Sequence, residues 1–217
     1  MMDFHYICGL PILYTKIDPK TFNKEEIITI IKRNYSKQKV RQKWSKSFMG
    51  TDIHHSNGDE DNKNFETPNY SLLVKSYSKP IEEYKKFVGI KKEIGLYLNV
   101  ANYTCSSHKS FMEPHFHIGC EFSMIHYLNF KKTEHSPTMF INPLESFLWW
   151  SKKIQSSIKY DKPSQSWLLG EFSYPTEEDD LIIFPSMLRH FVNNKTSQEP
   201  RITIACNITL IDKGENF

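Results

Sequence analysis

The spacing of hydrophobic positions changes near residue 93. Before that point, apolar side chains recur at helical spacing over about 20–36, which predicts a helix there. A second helix is predicted to begin near Pro80, because proline suits the first turn of a helix. Between them, residues 51–62 combine turn-forming and charged side chains with few apolar ones. This pattern predicts a solvated surface loop that contains His54 and His55.

After residue 93 the chain consists of short runs rich in β-branched and aromatic residues, separated by turn-forming residues. Such runs predict strands, and many short strands are typical of a sandwich or barrel. We therefore predict a mainly β protein in which the N-terminal helices and loop of residues 1–93 support a β core over 94–211, with 1–217 as a single domain. The predicted strands are 94–100, 121–130, 138–141, 167–174, 181–184 and 201–211.

The composition narrows the class of protein. In 217 residues, 39% are hydrophobic and 24% are charged, which excludes intrinsic disorder. The net charge of +3 is too small to indicate a nucleic-acid partner. Apolar runs are too short for a membrane span, and the first residues lack the basic region of a signal peptide. The four cysteines form no CxxC pair, so we expect reduced thiols in a cytoplasmic protein. We also expect a monomer or homodimer.

Three of the nine histidines have a spacing that suggests metal binding. His115 and His117 are two residues apart, so in an extended strand both imidazoles point to the same side. His190 follows the apolar run 181–184 much later in the chain. Two adjacent ligands and one distant ligand give a three-point site that leaves coordination positions open, whereas a closed structural zinc site uses four ligands, usually thiolates.

Arg201 and Thr203 follow this last histidine and share one strand face by period two. An arginine in the same cavity as a metal site would bind a carboxylate through two hydrogen bonds, and the threonine hydroxyl would add another. The combination suggests a chelating keto acid, with one end on the metal and the other on Arg201.

The sequence resembles the 2-oxoglutarate/Fe(II)-dependent oxygenases, especially their prolyl-4-hydroxylase-like members and the phage-type members. The order and spacing of four blocks carry the resemblance, which covers roughly residues 94–211. The blocks are 113–117 (EPHFH), 125–129 (IHYLN) with 138–140, 179–190 (DDLIIFPSMLRH) and 201–204 (RITI).

The resemblance implies a double-stranded β-helix, a jelly-roll barrel like that of the cupins. It implies Fe(II) ligands at His115 and His190, and at His117 where the family usually has a carboxylate. It also implies that Arg201, with Thr203 and Tyr127, binds 2-oxoglutarate. The implied enzyme is a mononuclear non-haem dioxygenase that hydroxylates a C–H bond of a peptidyl or small-molecule substrate and releases succinate and CO2. Ascorbate is a further candidate cofactor.

Two alternatives remain open. The spacing of His115, His117, Glu121 and His190 is also similar to the two cupin motifs. That ligand set would give a metal-dependent dioxygenase or isomerase that does not use 2-oxoglutarate, although it would not explain Arg201. The other alternative is a non-catalytic binding module on the same fold.

A partly helical insertion over 144–165 contains Trp149, Trp150 and Tyr160. These side chains could line a substrate lid or pack in a core. His126 lies one residue before Tyr127, with opposite parity along the strand, and is expected to point outward.

Overall fold

Antiparallel strands dominate the computed structural model, which describes residues 2–7, 9–37, 53–56, 64–107, 110–144, 170–195 and 197–212. The helices are α1 (Lys24–Lys37) and α2 (Ser71–Val88). The strands are β1 (Asp3–Ile7), β2 (Leu10–Lys16), β3 (Ile53–His55), β4 (Ile94–Ser106), β5 (Ser110–His115), β6 (Phe122–Asn129), β7 (Thr138–Ile141), β8 (Glu171–Phe172), β9 (Asp180–Pro185), β10 (His190–Lys195) and β11 (Arg201–Asp212).

The strands form two antiparallel sheets. One sheet has seven strands in the order β1-β2-β9-β6-β11-β4-β3, and the other has four in the order β5-β10-β7-β8. The prediction of a mainly β protein is therefore confirmed. Within the described residues the hydrogen-bonded ladders form two separate sheets, and no closed barrel is observed.

Strand β11 shows how the sequence sorts its side chains between two faces of the larger sheet. Ile202, Ile204 and Ile208 are fully or almost fully buried in the core between this sheet and the helices. Arg201 and Thr203 alternate with them and face a cavity on the opposite side. The helices add to the same core Ile27, Ile31, Leu73, Tyr77, Ile81 and Tyr84.

The two helices differ in how well their limits were predicted. Helix α1 corresponds to the helix predicted over about 20–36. The predicted start of the second helix near Pro80 is wrong, because α2 begins at Ser71 and contains Pro80 in its interior. Packing of Tyr77 and Tyr84 against the sheet stabilises the helix on both sides of the proline, which itself lacks a hydrogen-bond donor. No helix in the described part of the chain combines the length and hydropathy needed to cross a membrane.

The segment before residue 93 is more than helices and a loop, because it also supplies β1, β2 and β3 to the larger sheet. The predicted surface loop around His54 and His55 is wrong, because both side chains are buried in β3. His54 Nε2 lies 3.0 Å from the hydroxyl oxygen of Tyr103, and His55 pairs with Thr104 of β4. A three-residue edge strand has no periodicity to detect, and it forms only because β4 is beside it.

Part of one predicted strand and most of the insertion before it fall outside the described residues. Of the predicted strand 167–174, the described residues are 170–174, and among these only Glu171–Phe172 form a strand. Trp149, Trp150 and Tyr160 lie outside the described residues.

His126 points away from the cavity, as its parity indicated, but it does not reach solvent. Its side chain is completely buried, and Nδ1 lies 2.8 Å from the Tyr77 hydroxyl. The ring also packs edge-on against Phe22. Burial lowers the pKa of His126 to about 3. The expectation that it points outward is corrected because the outer face of the sheet is covered by helices.

We expect this neutral histidine to make the metal-free protein less stable in acid. In the unfolded chain His126 has a pKa near 6.5, whereas in the folded protein its pKa is about 3. The unfolded state therefore holds more protons in this interval, and the free energy of unfolding falls as the pH falls. One such proton corresponds to about 1.4 kcal/mol per pH unit.

The test is urea unfolding of the wild type and of the double variant Tyr77→Phe/His126→Leu, which removes both hydrogen-bonding partners together. Between about pH 6 and pH 4 the variant should lose stability less steeply than the wild type, by close to one proton. Equal slopes would show that His126 is not buried as a neutral side chain.

Candidate metal centre

Three histidines meet where the two sheets approach each other. His115 ends β5 and pairs directly with His190, the first residue of β10, and His117 follows two residues after β5. One ring nitrogen from each lies within 4.8 Å of the others. The ring centroids are 4.3 Å apart for His115 and His190 and 5.2 Å apart for His117 and His190. A single ion can therefore contact all three imidazoles.

Backbone carbonyls orient two of these rings. Nδ1 of His115 lies 2.8 Å from the carbonyl oxygen of Glu113, and Nδ1 of His190 lies 2.9 Å from that of Leu188. A carbonyl oxygen only accepts hydrogen bonds, so each Nδ1 carries the proton and donates it. The lone pair of Nε2 is then left for a metal, which is the usual arrangement for a histidine ligand.

Side chains orient the third ring. Nδ1 of His117 lies 3.2 Å from Oδ1 of Asn207 and 3.0 Å from Oγ of Ser123. The main-chain N–H of His117 donates to the carbonyl oxygen of Ser186 at 3.0 Å. These contacts tie the segment after β5 to strands β6 and β11 of the larger sheet.

The electrostatics of the cluster favour neutral rings. Burial lowers the pKa of His115 and of His117 below the ordinary value, and it lowers the pKa of His190 to about 3. A neutral imidazole is the form that binds a metal, because protonation occupies the lone pair. The fold therefore holds all three rings in the binding form near neutral pH.

The histidines line a cavity between the sheets, together with Arg201 and Thr203. The histidine cluster and the candidate carboxylate-binding residues therefore share one space, as their spacing predicted. The other lining residues are His55, Asn102, Thr104, Met112, Ile125, Thr138, Val192 and Ala205.

Arg201 is a buried cation, with only 6% of its surface exposed. Its guanidinium lies 3.5 Å from Oγ1 of Thr203 and 3.4 Å from Oγ1 of Thr138, and its Nε has no hydrogen-bond partner in the described part of the chain. No carboxylate of the described residues forms an ion pair with it. Burial lowers the pKa of Arg201 because its charge is poorly solvated. Such a charge is costly unless an anion binds to it.

Tyr127 supports this arginine from outside the cavity. Its ring centroid lies 5.2 Å from the guanidinium carbon of Arg201, a cation–π distance. Its hydroxyl donates to Oγ1 of Thr138 at 2.8 Å and accepts from the Thr138 N–H at 3.1 Å. Because Tyr127 does not line the cavity, its direct contact with a co-substrate stays a prediction.

Glu121 does not join the histidine cluster. Its carboxylate accepts a hydrogen bond from the backbone N–H of Leu210 at 2.7 Å. Its main chain contacts Ile208 and Ser186 at the same end of the larger sheet. The four-ligand set of the cupin alternative is therefore not assembled in this structure.

Sequence reasoning missed several cavity residues. Asn102 and Thr104 have the same parity on β4, so the alternation of that strand would have indicated them once the cavity face was known. Asn207 likewise has the parity of Arg201 on β11. His55 had no such signal, because its position depends on edge pairing of a three-residue strand. Burial and the nearby histidines lower the pKa of His55 to about 3.

A family model described as "Putative 2OG-Fe(II) oxygenase" matches residues 103–207. This segment contains the three clustered histidines and Arg201. A comparison with curated protein sequences finds no match.

Solved structures of similar fold share little sequence with the chain. AviO1 from Streptomyces viridochromogenes Tue57 is 10% identical, with a TM-score of 0.53 and coverage of 91% of this chain and 89% of AviO1. The non-heme alpha ketoglutarate dependent epimerase SnoN from nogalamycin biosynthesis is 12% identical, with a TM-score of 0.52 and coverage of 90% and 76%. At such identities these two structures indicate a shared fold and nothing more.

Similarity to the structures that are described as an oxygenase or as prolyl hydroxylases is weaker. An oxidoreductase of the 2OG-Fe(II) oxygenase family from Burkholderia pseudomallei is 11% identical, with a TM-score of 0.43; 66% of this chain is covered, and the chain spans 57% of that protein. Prolyl hydroxylases are also similar, with TM-scores from 0.44 to 0.48. The match over residues 103–207 confirms the resemblance to the 2-oxoglutarate/Fe(II)-dependent oxygenases that the four sequence blocks indicated.

Proposed function

We propose that the protein is a mononuclear non-haem Fe(II), 2-oxoglutarate-dependent dioxygenase. In this proposal it hydroxylates a C–H bond of a peptidyl or small-molecule substrate and releases succinate and CO2. His115, His117 and His190 hold the iron, and Arg201 with Thr203 binds the co-substrate. The observation that carries the proposal is the buried guanidinium of Arg201, which has no carboxylate partner among the described residues and shares one cavity with the three histidines.

The residues present fit both groups. Three neutral imidazoles suit a ferrous ion and leave coordination positions open for a co-substrate and oxygen. Among the described residues, no aspartate or glutamate lines the cavity, so none of them offsets the charges of the metal and of Arg201 there. A dianion such as 2-oxoglutarate would offset them. When bound there, iron supplies the oxygen activation and one-electron chemistry that side chains lack.

The side chains around the anion site provide position and orientation. The Arg201 guanidinium presents two N–H groups in the geometry that a carboxylate accepts. The hydroxyls of Thr203 and Thr138 and the ring of Tyr127 hold it in place before any ligand binds. One end of a bound keto acid is thereby directed toward Arg201 and the other toward the histidines, so the arginine does not need to reorganise.

The alternatives fit the cavity less well. A cupin-type enzyme without 2-oxoglutarate would leave the charge of Arg201 unused, and Glu121 is not in position to be a ligand. A non-catalytic module would have no use for three neutral histidines on one cavity wall. SnoN is described as an epimerase, so the shared fold does not select hydroxylation, which stays part of our proposal.

We also assign the two sheets to the halves of a double-stranded β-helix, with residues 1–217 as one domain and 94–211 as its core. Ascorbate serves as a reductant that keeps the iron ferrous. The enzyme acts in the cytoplasm as a monomer or homodimer, without a nucleic-acid partner.

The first experiment measures 2-oxoglutarate binding and its conversion to succinate. Calorimetry under argon should show that 2-oxoglutarate binds to the Fe(II)-loaded protein and binds far more weakly when a chelator removes the metal. Addition of oxygen and ascorbate should then release succinate. Absence of turnover, together with 2-oxoglutarate binding that does not depend on metal, would contradict the proposed function.

A further inference from the structure

Two side chains hold the ring of His117, a member of the histidine cluster. We propose that Asn207 and Ser123 are positioning residues that keep His117 in the tautomer and orientation in which it binds a metal. This inference rests on the metal site of the proposed function and not on the identity of the co-substrate or substrate.

Backbone carbonyls contact the other two rings. In each case Nδ1 bonds to the carbonyl oxygen two residues earlier, Glu113 for His115 and Leu188 for His190. The carbonyl belongs to the backbone, so any residue at those positions would provide it. The carbonyl two residues before His117 belongs to His115, and the ring of His117 bonds instead to another sheet.

The atoms around His117 define the position of its proton. Oδ1 of Asn207, 3.2 Å from Nδ1, can only accept a hydrogen bond. Oγ of Ser123 lies 3.0 Å from Nδ1 and 3.0 Å from Oγ of Ser186. When the Ser123 hydroxyl donates to Ser186, its oxygen also faces Nδ1 as an acceptor. Asn207 thus favours a proton on Nδ1, and Ser123 is compatible with it as a second acceptor, which leaves Nε2 free to bind the metal.

Burial makes this network selective. Ser123 is 1% exposed and Ser186 is not exposed, so water cannot readily replace their hydrogen bonds. An unsatisfied polar group in such a place destabilises the fold. The alternative tautomer of His117 would place a lone pair of Nδ1 against Oδ1 of Asn207, so it is disfavoured. The network therefore selects the tautomer as well as the ring angle.

The location of Asn207 links the two parts of the site. It lies on β11, on the same face as Arg201 and Thr203. His117 lies beyond the end of β5, and its ring is not fixed by a strand ladder. One strand of the larger sheet therefore carries both the proposed anion-binding residues and the group that orients one proposed metal ligand.

The test is titration of the metal-free protein with Co(II), followed by the visible absorption of the bound ion. Asn207→Leu and Ser123→Ala should each weaken Co(II) binding by about 10–100-fold, the usual effect of losing an outer hydrogen-bond partner. Asn207→Asp should bind Co(II) more tightly than the wild type, because a carboxylate is a stronger acceptor for the Nδ1 proton. Asn99→Leu is the matched control, since Asn99 is the exposed cross-strand partner of Asn207.

Nitrogen-15 NMR of the metal-free protein reports which nitrogen of the His117 ring carries the proton. This tautomer would not change if Asn207 had a merely structural role. His117 should carry its proton on Nδ1 in the wild type and in Asn207→Asp, and should shift toward the Nε2 tautomer in Asn207→Leu. If Asn207→Leu does not fold, Asn207→Asp still decides the matter, because it is nearly isosteric.

Two outcomes have different meanings. If the wild type binds no Co(II), the proposed metal site and the proposed function both fail. If the wild type binds Co(II) and the Asn207 variants bind it with the same affinity and the same tautomer of His117, only the positioning role is overturned.

Discussion

Arg201→Met is expected to abolish 2-oxoglutarate binding at ordinary concentrations and to leave metal binding intact. Methionine occupies a similar length without charge, so the cavity keeps its packing and loses its only buried arginine among the described residues. Removing one partner of a buried, hydrogen-bonded charge pair costs about 2–5 kcal/mol. We therefore expect the dissociation constant of 2-oxoglutarate to rise by at least about 30-fold. Calorimetry of the metal-loaded protein measures it.

Arg189→Met is the matched control, because Arg189 is exposed and directly precedes His190. It should bind 2-oxoglutarate as the wild type does. The metal-free Arg201→Met protein should melt at the same temperature as the wild type or higher, since the substitution removes a buried charge without a carboxylate partner. Loss of metal from Arg201→Met would contradict the role we assign to Arg201.

His117→Ala is expected to lose most of the metal affinity, whereas Glu121→Gln is expected to keep it. His117 is one of three nitrogen donors within 4.8 Å of one another, and Glu121 is outside this group. Loss of a direct ligand should exceed the roughly 10–100-fold effect of losing an outer hydrogen-bond partner. Competition between the protein and a coloured chelator for Co(II) measures both variants.

The opposite result has a definite meaning. Strong metal binding by His117→Ala, together with loss of binding in Glu121→Gln, would replace the three-histidine site by the cupin ligand set. The unfolding temperatures of both metal-free variants serve as the control for folding. Glu121→Gln retains an acceptor for the N–H of Leu210, so it should unfold close to the wild-type temperature.

The sequence predicted the strand faces of the candidate site residues, because these faces follow from a local pattern. His115 and His117 share a strand face because strand side chains alternate, and the same rule placed Arg201 and Thr203 together on β11. In the structure Ile202 and Ile204, which alternate with these polar residues, are buried on the opposite face. These features depend on neighbours along the chain, so a single sequence contains them.

Local patterns were insufficient where a partner decides the structure. His54 and His55 form an edge strand only because β4 lies beside them, and Pro80 remains inside α2 because packing on the sheet offsets its missing hydrogen bond. Both β4, beside His54 and His55, and the sheet on which α2 packs are distant in sequence from the residues whose structure they decide.

The sequence by itself determined the residue types of the candidate site, their order along the chain and the faces of the strands that carry them. Only the tertiary structure decided that two sheets bring the three histidines and Arg201 to one cavity, that Glu121 stays outside, and that Asn207 reaches His117. The physical reason is that strand periodicity is a property of the backbone, whereas these contacts join residues from different strands. Their geometry depends on strand pairing and on the packing of one sheet against the other.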